Sequence, residues 1–563
     1  MKCLVFCLLV HSSFADCSGN CPHGDDTGLL QFRVATEHQQ TYKADTEQTE
    51  QMPSSETRGL GPCGSLYWLT CQEPTNWDPT YSGSAFNWPT KYDGDESKVA
   101  SLLTDVNTVY TNKCAFAAKR TDGSVVTWGK MKYCGGDIST SEPLPLTNVV
   151  TIVPSLYEFA ALKEDGTVQW WGRNKGIQKA PVTDIVKIYS NTKAFAAKDK
   201  YDKVTAWGQS QWGGDSNYPS SGTDLTNVDT VFANSVAFAA KKKDGTVACW
   251  GSRDKGGKCS HLNLNNVDTI AATHLAFAAL TRGGSVVTWG DQKRGGPIGG
   301  KTCIGEQTCN FDKGYPECSY VCQTDVSDKL TNVVTIYSNS YSFAARKKDG
   351  SIVTWGDKQN VGDPKDLSDV DKVFHTLTAF VGLKKNGNVV DWGSTSCGNG
   401  GSDIRTAEGY SAGNKLEGVV DITCGQYACA AIKNDGSVVT WGGQGSRNAG
   451  LDSNHVQSQL KNVAKVFATK SAFAALTGEG KVVSWGSEMD DAELSSIQWP
   501  KRVDMIIPTG NGFAALYRTA SPQMALENCI WKLSSGDTLK ISISKGTLQP
   551  VTGWGVGQTF KIY

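Results

Sequence analysis

Several features that mark common classes of protein are missing from this sequence. It has no Asn-x-Ser/Thr sequon, so we expect no N-linked glycans. Beyond residue 10, no apolar run approaches the roughly 20 residues that a membrane-spanning helix needs. The formal net charge is only −1, which gives no reason to expect nucleic acid or an anionic membrane as a partner. Long helical periodicity is also missing, which disfavours a helical fold.

Motifs for catalysis, phosphate binding and metal binding are missing as well. The seven histidines are scattered, without a His-Glu-x-x-His pair or a Cys-His metal spacing. There is no Gly-x-Ser-x-Gly elbow and no phosphate loop ending in Gly-Lys-Ser/Thr. We therefore expect no catalytic residues, no cofactor site and no metal site, and we interpret the protein as non-enzymatic.

The dominant feature that is present is a repeat, NVVTIYSNSYSFAARKKDGSIVTWG in its copy at Asn332–Gly356. Self-similarity with a period of about 40 residues indicates a solenoid, a propeller or an array. A tenth, partial copy starts at Arg502 and lacks the terminal Trp-Gly. The nine full copies begin at Asp105, Asn148, Asp184, Asn227, Asn266, Asn332, Asp369, Gly418 and Asn462.

Each copy predicts three short strands. In the copy at Asn332, these are Val333 to Tyr337, Ser342 to Arg346 and Ser351 to Trp355. An Asp-Gly pair such as Asp349-Gly350 separates the last two, and Asp-Gly between apolar runs is a strong hairpin signal because Gly accepts the positive φ of the turn. Only the third copy breaks this signal, at Tyr201-Asp202-Lys203.

Two aromatic columns recur in phase with the repeat, and small alanines lie two residues after the first column. Rings at fixed positions in every copy are typical of core packing between neighbouring sheets, so we interpret them as structural and not as sugar platforms. The first column is Phe116, Phe159, Phe195, Phe238, Phe277, Phe343, Phe380 and Phe473. The second column is Trp128, Trp171, Trp207, Trp250, Trp289, Trp355, Trp392, Trp441 and Trp485.

The pattern A-h-x-x-D-G-x-V-x-x-W-G resembles the repeats of the regulator of chromosome condensation family, over about Asp105 to Arg518. In repeat length it is similar to the compact secreted β-lactamase inhibitory propeller. The family's Gly-x-x-His step is replaced here by segments such as Ser338-Asn339-Ser340-Tyr341, and its Gly-Gln-Leu-Gly is missing. Gly135-Gly136-Asp137 and Gly213-Gly214-Asp215 are the nearest equivalents. No functional residue is therefore carried over from the family.

The resemblance implies an all-β fold, a β-propeller of nine to ten short repeats. The family usually closes with seven blades, which leaves two arrangements: one large ring, or a seven-bladed ring with an extension. A strand from the N-terminal region could complete the partial tenth copy and so remove the open edges of the ring.

The two ends of the chain differ in composition from the repeats. Residues 1–15, MKCLVFCLLVHSSFA, predict a signal peptide with a charged start, an apolar run and a small-x-small cleavage site. Residues 16–59 are polar and predict a disordered linker or propeptide. Residues 60–104 are rich in Cys and aromatics and predict a small cap or a closing segment. The propeller follows at 105–518, and 519–563 predicts a C-terminal β appendage.

The cysteines agree with a secreted or luminal location. Of 18 cysteines, Cys3 and Cys7 lie in the predicted signal, and the even number that remains is typical of disulfide bonding in an oxidising compartment. Cys249 with Cys259, and Cys424 with Cys429, are candidate local pairs. A cysteine-rich insertion at 303–322 contains Cys303, Cys309, Cys318 and Cys322, and its spacing favours two disulfides over a zinc site. We expect this stapled loop to bind a ligand.

The sequence leaves three functions open. The first is a secreted binding protein that recognises a protein or a glycan through variable propeller loops. The second, implied by the resemblance, is a regulator of the chromosome condensation type, acting in guanine-nucleotide exchange or in a ubiquitin ligase. The third is a secreted enzyme inhibitor. Trp212 and Trp499, in the connectors, are the candidate aromatics for a lectin. We expect no nucleic-acid partner.

Overall fold

The computed structural model describes the chain in segments. Outside the ranges that follow, only the backbones of a few short strands near the termini are described. The described ranges are 83–88, 99–129, 134–136, 146–172, 175–180, 182–217, 223–297, 308–310, 317–319, 327–357, 361, 367–393, 404–405, 411–412, 416–442, 453–486, 499–500, 502–508 and 512–518.

Ten three-stranded units form the fold, which is an all-β propeller built from antiparallel sheets. We number them blades 1 to 10 in chain order of their first strands. The first strands are Val106–Thr111, Val149–Pro154, Ile185–Ser190, Val228–Ala233, Val267–Ala272, Val333–Ser338, Val370–His375, Val419–Cys424, Val463–Ala468 and Met505–Pro508. First strands of successive blades contact one another, which places them nearest the axis of the ring.

The middle and third strands extend each blade outward from the axis. The middle strands are Ala115–Arg120, Glu158–Lys163, Ala194–Asp199, Ala237–Lys242, Ala276–Thr281, Ser342–Lys347, Ala379–Lys384, Ala428–Lys433, Ala472–Thr477 and Phe513–Tyr517. The third strands are Val125–Gly129, Val168–Gly172, Val204–Gly208, Val247–Gly251, Val286–Gly290, Ile352–Gly356, Val389–Gly393, Val438–Gly442, Val482–Gly486 and, for blade 10, Ser84–Trp88.

An N-terminal strand completes blade 10 and closes the ring. Ser84–Trp88 pairs antiparallel with Phe513–Tyr517, with Ala85 opposite Leu516. Gly83 then bridges to Val106 at the start of blade 1. The expected completion of the tenth copy is therefore confirmed.

Apolar clusters follow one another around the whole ring, one between each pair of successive blades. Between blades 9 and 10, Ala474 packs with Ile506 and Phe513. Between blades 10 and 1, Leu516 packs with Phe116. Because this circuit has no gap, the arrangement is one ring of ten blades, and a seven-bladed ring with an extension is excluded.

The aromatic columns lie inside these clusters. Phe116 stacks on Trp128 with ring centroids 4.9 Å apart, and Phe380 stacks on Trp392 at 5.5 Å. The column phenylalanines have at most 1% of their surface exposed. Each such pair contributes buried area and stacking to the contact between blades.

Each of the nine full repeats begins with a residue in the left-handed conformation. Asn148 has φ 56° and Asp184 has φ 59°, and Gly418 takes this place in blade 8 with φ 69°. Asn, Asp and Gly tolerate positive φ better than other residues, which explains why only these three types occur at the repeat start. This sequence signal was available in the repeat and was not used in the prediction.

The turn between middle and third strands keeps its geometry even where its sequence changes. In blade 1, Oδ1 of Asp122 accepts hydrogen bonds from the N–H and the hydroxyl of Ser124, at 2.9 and 2.6 Å. In blade 3, Asp202 replaces the turn glycine and adopts φ 62°. The apparent break at Tyr201-Asp202-Lys203 is therefore a change of sequence only. We call this end of the ring the hairpin face.

Successive blades are also joined by backbone hydrogen bonds at both ends of the ring. At the hairpin face, the N–H of Val149 donates to the carbonyl of Gly123 in the preceding blade, at 2.9 Å. At the opposite end, which we call the junction face, the first strand turns into the middle strand. There the N–H of His274 donates to the carbonyl of Ser340 in the next blade, at 3.2 Å.

Short elements decorate the blades. Lys175–Lys179 adds a fourth strand to blade 2. Two small ribbons pair Thr308–Asn310 with Glu317–Ser319, and Ile404–Arg405 with Ser411–Ala412. Among the described residues, 3-10 helices occur at Ala100–Leu102, Ser210–Trp212, Arg253–Lys255, Gln292–Arg294, Ser327–Lys329 and Asn454–Gln459. In the described part of the chain, no helix has the length and apolar character to cross a membrane.

Contacts between Cα atoms divide the chain into two units, residues 55–518 and residues 1–54 together with 519–563. In the second unit, Cys3–Leu4 pairs with Thr27–Gly28 in parallel. A four-stranded sheet there contains Ile530–Lys532, Thr538–Ser544, Thr547–Pro550 and Phe560–Lys561. The other residues of the predicted signal peptide and of 16–59 lie outside the described residues.

Candidate functional site

The cysteine-rich insertion is only partly described. Cys303 and Cys322 lie outside the described residues. Cys309 and Cys318 stand directly opposite each other in the ribbon of Thr308–Asn310 and Glu317–Ser319. The ribbon shows that the insertion folds back on itself between these two cysteines.

Three disulfides are present among the described residues: Cys114–Cys134, Cys249–Cys259 and Cys424–Cys429. The last two confirm the local pairings that their spacing suggested. Cys424 and Cys429 face each other across the first and middle strands of blade 8. The sequence gave no reason to pair Cys114 with Cys134, which are 20 residues apart.

The two connector tryptophans are used for packing. The indole ring of Trp212 is covered by the ammonium group of Lys193, 4.1 Å from the ring centroid. Trp499 packs edge-on against Phe86 with the centroids 5.5 Å apart. Neither is an open platform on which a sugar could stack.

A cleft of about 680 Å³ lies between the connector that follows blade 4 and the connector that follows blade 5. Its walls are the 3-10 turns Arg253–Lys255 and Gln292–Arg294, together with the segment that holds Lys258 and His261. Both connectors leave a third strand at the junction face. At this face the end of the third strand lies close to the start of the middle strand. In blade 4, a Cβ on Gly251 would be 2.8 Å from Cα of Ala237.

The first wall of the cleft is held in place by covalent and polar bonds. Cys249–Cys259 ties its connector to the third strand of blade 4. Nδ2 of Asn234 donates to the carbonyl of Lys255 at 2.6 Å, and Nε1 of Trp289 donates to the carbonyl of Gly256 at 3.1 Å. This wall is therefore fixed before any ligand arrives.

Gly256 and Gly257 explain why a Gly-Gly pair follows several third strands. Gly256 has φ 101° and lies so close to Phe277 that a Cβ would be 2.6 Å from the ring. A Cβ on Gly257 would be 2.3 Å from the carbonyl oxygen of Gly251. Only glycine fits both places. The same arrangement recurs at Gly213, whose carbonyl accepts from Nε1 of Trp250.

The second wall is anchored in a similar way. Oγ1 of Thr273 donates to the carbonyl of Arg294 at 2.8 Å. Oγ1 of Thr288 donates to the carbonyl of Gly296 at 2.9 Å. The guanidinium of Arg294 lies over the ring of Tyr341, 3.7 Å from its centroid, so this cation is already engaged and turned away from an incoming ligand.

The cleft carries more positive than negative charge. Lys255 forms an ion pair with Asp291 across the two walls. Among the described residues, Arg253, Lys258 and Lys293 form no ion pair, and Asp254 is the other carboxylate in the lining. The balance favours an anionic ligand.

The lining of the cleft has no arrangement for catalysis. His261 is exposed, and no Ser, Thr or Cys is among the residues that line the cleft with it. Across the ranges given above, no cluster of three metal-ligating side chains occurs. The arrangement can bind and orient acidic groups, and it shows no pair of residues suited to proton transfer or nucleophilic attack.

No family model matches the chain, and no curated protein matches it. Solved propeller structures are similar at low identity. The entire ectodomain of the Physcomitrella patens receptor kinase CR4 is 14% identical, with 47% of this chain and 65% of that chain covered and a TM-score of 0.27. The alignment therefore spans just under two thirds of that ectodomain.

Two further solved structures are similar over nearly their whole lengths. The ectodomain of the Arabidopsis thaliana receptor kinase ACR4 is 14% identical, with 51% and 96% covered and a TM-score of 0.28. Prp20p from Saccharomyces cerevisiae is 15% identical, with 79% and 94% covered and a TM-score of 0.30. Similarity at this level does not identify a ligand.

Proposed function

We propose that this chain is a secreted, non-enzymatic binding protein that holds an acidic segment of a partner protein in the cleft between blades 4 and 5. The observation that carries the proposal is the set of cations Arg253, Lys258 and Lys293, which line a preorganised cleft without ion pairs. Carboxylates bind such cations through charge-assisted hydrogen bonds. Walls fixed in advance reduce the entropy lost on binding.

The shape of the cleft also supports a peptide ligand. It is open at the surface and built from two connectors, and variable connectors on a rigid scaffold are where binding proteins usually carry recognition. The cysteine-rich insertion 303–322 follows shortly after Pro297 in the second wall. We propose that it extends the same recognition surface.

The secreted location is supported by two features. Residues 1–15 have the composition of a signal peptide. Three disulfides hold blades 1, 4 and 8, and such bonds persist in oxidising compartments. In this proposal, residues 16–59 are a linker, 60–104 include the closing strand, and 519–563 are an appendage.

The experiment is a calorimetric titration of the disulfide-intact protein with poly-L-glutamate. The cleft variant Lys258→Gln/Lys293→Gln should bind about tenfold more weakly, since each lost charge contact is worth roughly 0.5–1 kcal/mol. A matched control, Lys200→Gln/Lys243→Gln, removes the same charge at the hairpin face, where both lysines are held in ion pairs. Equal weakening by both variants, or no binding by the wild type, would contradict the proposal.

A further inference from the structure

A second row of cations lies on the hairpin face. The residue two positions before the turn glycine, or before Asp202 in blade 3, is basic in five successive blades. The position is Lys or Arg only in blades 3 to 7. These residues are Lys200, Lys243, Arg282, Lys348 and Lys385.

The first two members of this row are neutralised. Nζ of Lys200 pairs with Asp184 at 2.7 Å. Lys243 pairs with Asp202 of the preceding blade. In both cases the carboxylate belongs to a residue that adopts the left-handed conformation.

The last three members have no such partner. Arg282, Lys348 and Lys385 form no ion pair with any residue that the structure describes. In blades 5 and 6 the repeat starts with Asn266 and Asn332, whose amides carry no charge. In blade 7 it starts with Asp369, whose carboxylate forms no ion pair with Lys385. We call Arg282, Lys348 and Lys385 the cationic row.

Negative charge is also sparse at the turns beside the cationic row. Blades 5 and 7 have Gly283 and Asn386 where other turns have Asp. In blade 6, Asp349 is engaged by its own turn, because its Oδ1 accepts from the N–H and hydroxyl of Ser351 at 2.9 and 2.6 Å. The hydrogen bonds from Ser351 lower the pKa of Asp349, so this carboxylate stays ionised and is the one negative charge in the turn segments 280–285, 346–351 and 383–388.

The members of the row stand on neighbouring turns. The N–H of Val333 donates to the carbonyl of Gly284, at 2.9 Å, which joins the turn of blade 5 to the start of blade 6. The N–H of Lys348 then donates to the carbonyl of Asn332, also at 2.9 Å. Two hydrogen bonds therefore connect the turn of blade 5 with the turn of blade 6, and Lys385 lies on the turn of the next blade along the ring.

We infer that the cationic row binds a linear sulfated polysaccharide. Cations without an ion pair on three neighbouring blades match a polymer whose negative charges also repeat. The turn segments 280–285, 346–351 and 383–388 contain no aromatic side chain, so the row lacks the stacking surface of a single-stranded nucleic-acid site.

A membrane surface is also a poor match for the row. Exposed large apolar side chains among the described residues are Leu102, Val150, Val186, Tyr201 and Val420. These lie beside or on blades 1, 2, 3 and 8, outside the blades that carry the row. The row therefore offers charge without the apolar anchors of an interfacial site.

The test uses heparin as the probe, with dissociation constants measured at 50 and 150 mM NaCl. The row variant Lys348→Gln/Lys385→Gln should bind roughly fivefold more weakly at the lower salt, with a smaller dependence on salt. The control Lys200→Gln/Lys243→Gln removes the same charge at equivalent positions of blades 3 and 4. It should bind nearly as the wild type does.

Three results would overturn the inference. The first is equal weakening by the two double variants. The second is a duplex DNA of similar charge that binds as tightly as heparin does. The third is loss of heparin binding in Lys258→Gln/Lys293→Gln with retention in the row variant. That last result would show that heparin binds in the cleft between blades 4 and 5. The function proposed for the cleft is tested separately, by the poly-L-glutamate titration. Thermal melts of all variants check that each is folded.

Discussion

Nε1 of Trp128 donates a 2.7 Å hydrogen bond to Oδ1 of Asn87. Trp128 belongs to blade 1, whereas Asn87 belongs to the N-terminal strand that completes blade 10. In blades 2, 4 and 5, the indole N–H donates instead to a glycine carbonyl in the preceding connector. At the point where the ring closes, an asparagine side chain therefore takes the role that a backbone carbonyl has in blades 2, 4 and 5.

Asn87→Ala should destabilise the ring, because it leaves the buried indole N–H of Trp128 without an acceptor. The expected loss in the free energy of unfolding is about 1–3 kcal/mol. Urea unfolding of Asn87→Ala, Trp128→Phe and the double variant measures it as a double-mutant cycle. Additive single effects would show that the two residues do not interact.

Removing the closing strand should open the ring. A chain that starts after Trp88 loses the third strand of blade 10 and exposes the edge of Phe513–Tyr517, and open edges promote association. Light scattering after gel filtration should show oligomers for this truncation. A truncation that starts at residue 60 keeps Ser84–Trp88 and should remain monodisperse to the same degree as the full chain. Identical behaviour of both truncations would contradict the ring closure.

Gly256→Ala should destabilise the protein and distort the first wall of the cleft. The new Cβ would meet Phe277 at 2.6 Å, at a residue with positive φ, and we expect a loss on the order of 2 kcal/mol. The control Gly283→Ala meets no atom closer than 3.8 Å. It should be neutral or stabilise by about 0.5 kcal/mol through a less flexible unfolded chain. Thermal melts that rank the two variants in the opposite order would refute this packing.

Mild acid should weaken the fold through His375. Burial lowers the pKa of His375 below its ordinary value of 6.5. As pH falls through 6.5, the unfolded chain binds a proton that the folded chain does not, so the free energy of unfolding decreases. The difference between the urea midpoints at pH 7.5 and pH 5.5 should be smaller for His375→Gln than for the wild type. His261→Gln, at an exposed histidine, is the comparison and should follow the wild type.

The Cys249–Cys259 bond should matter more for the cleft than the Cys424–Cys429 bond. Cys249→Ala/Cys259→Ala frees the first wall, so its affinity for poly-L-glutamate should fall about threefold through lost preorganisation. Cys424→Ala/Cys429→Ala removes an equivalent local bond in blade 8, away from the cleft, and should leave that affinity unchanged. Equal affinities of the two variants for poly-L-glutamate would show that the Cys249–Cys259 disulfide has no role in binding.

The sequence predicted the blades well because each one is encoded locally. The Asp-Gly turn, the Phe and Trp columns and the strand lengths repeat in phase, so the period indicates a repeat architecture, and the family resemblance selects the propeller among the possible ones. The number of blades in one ring was left open, because Ser84–Trp88 carries no repeat signature and lies far from Phe513–Tyr517 in sequence. Its role follows only from the pairing of the two strands.

The cleft could not be predicted in the same way. Lys258 and Lys293 lie in two different connectors, and their meeting depends on the left-handed Gly256 and on the carbonyl contacts of Trp289 and Asn234. The Gly-Gly pairs were noticed in the sequence only as remnants of a family motif. These glycines leave room for the aromatic rings of the next blade, and this role can be recognised only in the packed structure.

The most direct test of the proposed function is zero-length carbodiimide cross-linking of poly-L-glutamate to the disulfide-intact protein, followed by peptide mapping. The reaction joins carboxylates only to amines that they contact. The proposal predicts cross-links concentrated at Lys258 and Lys293. Cross-links spread over exposed lysines such as Lys200 and Lys348 at equal frequency, with none enriched in the cleft, would contradict it.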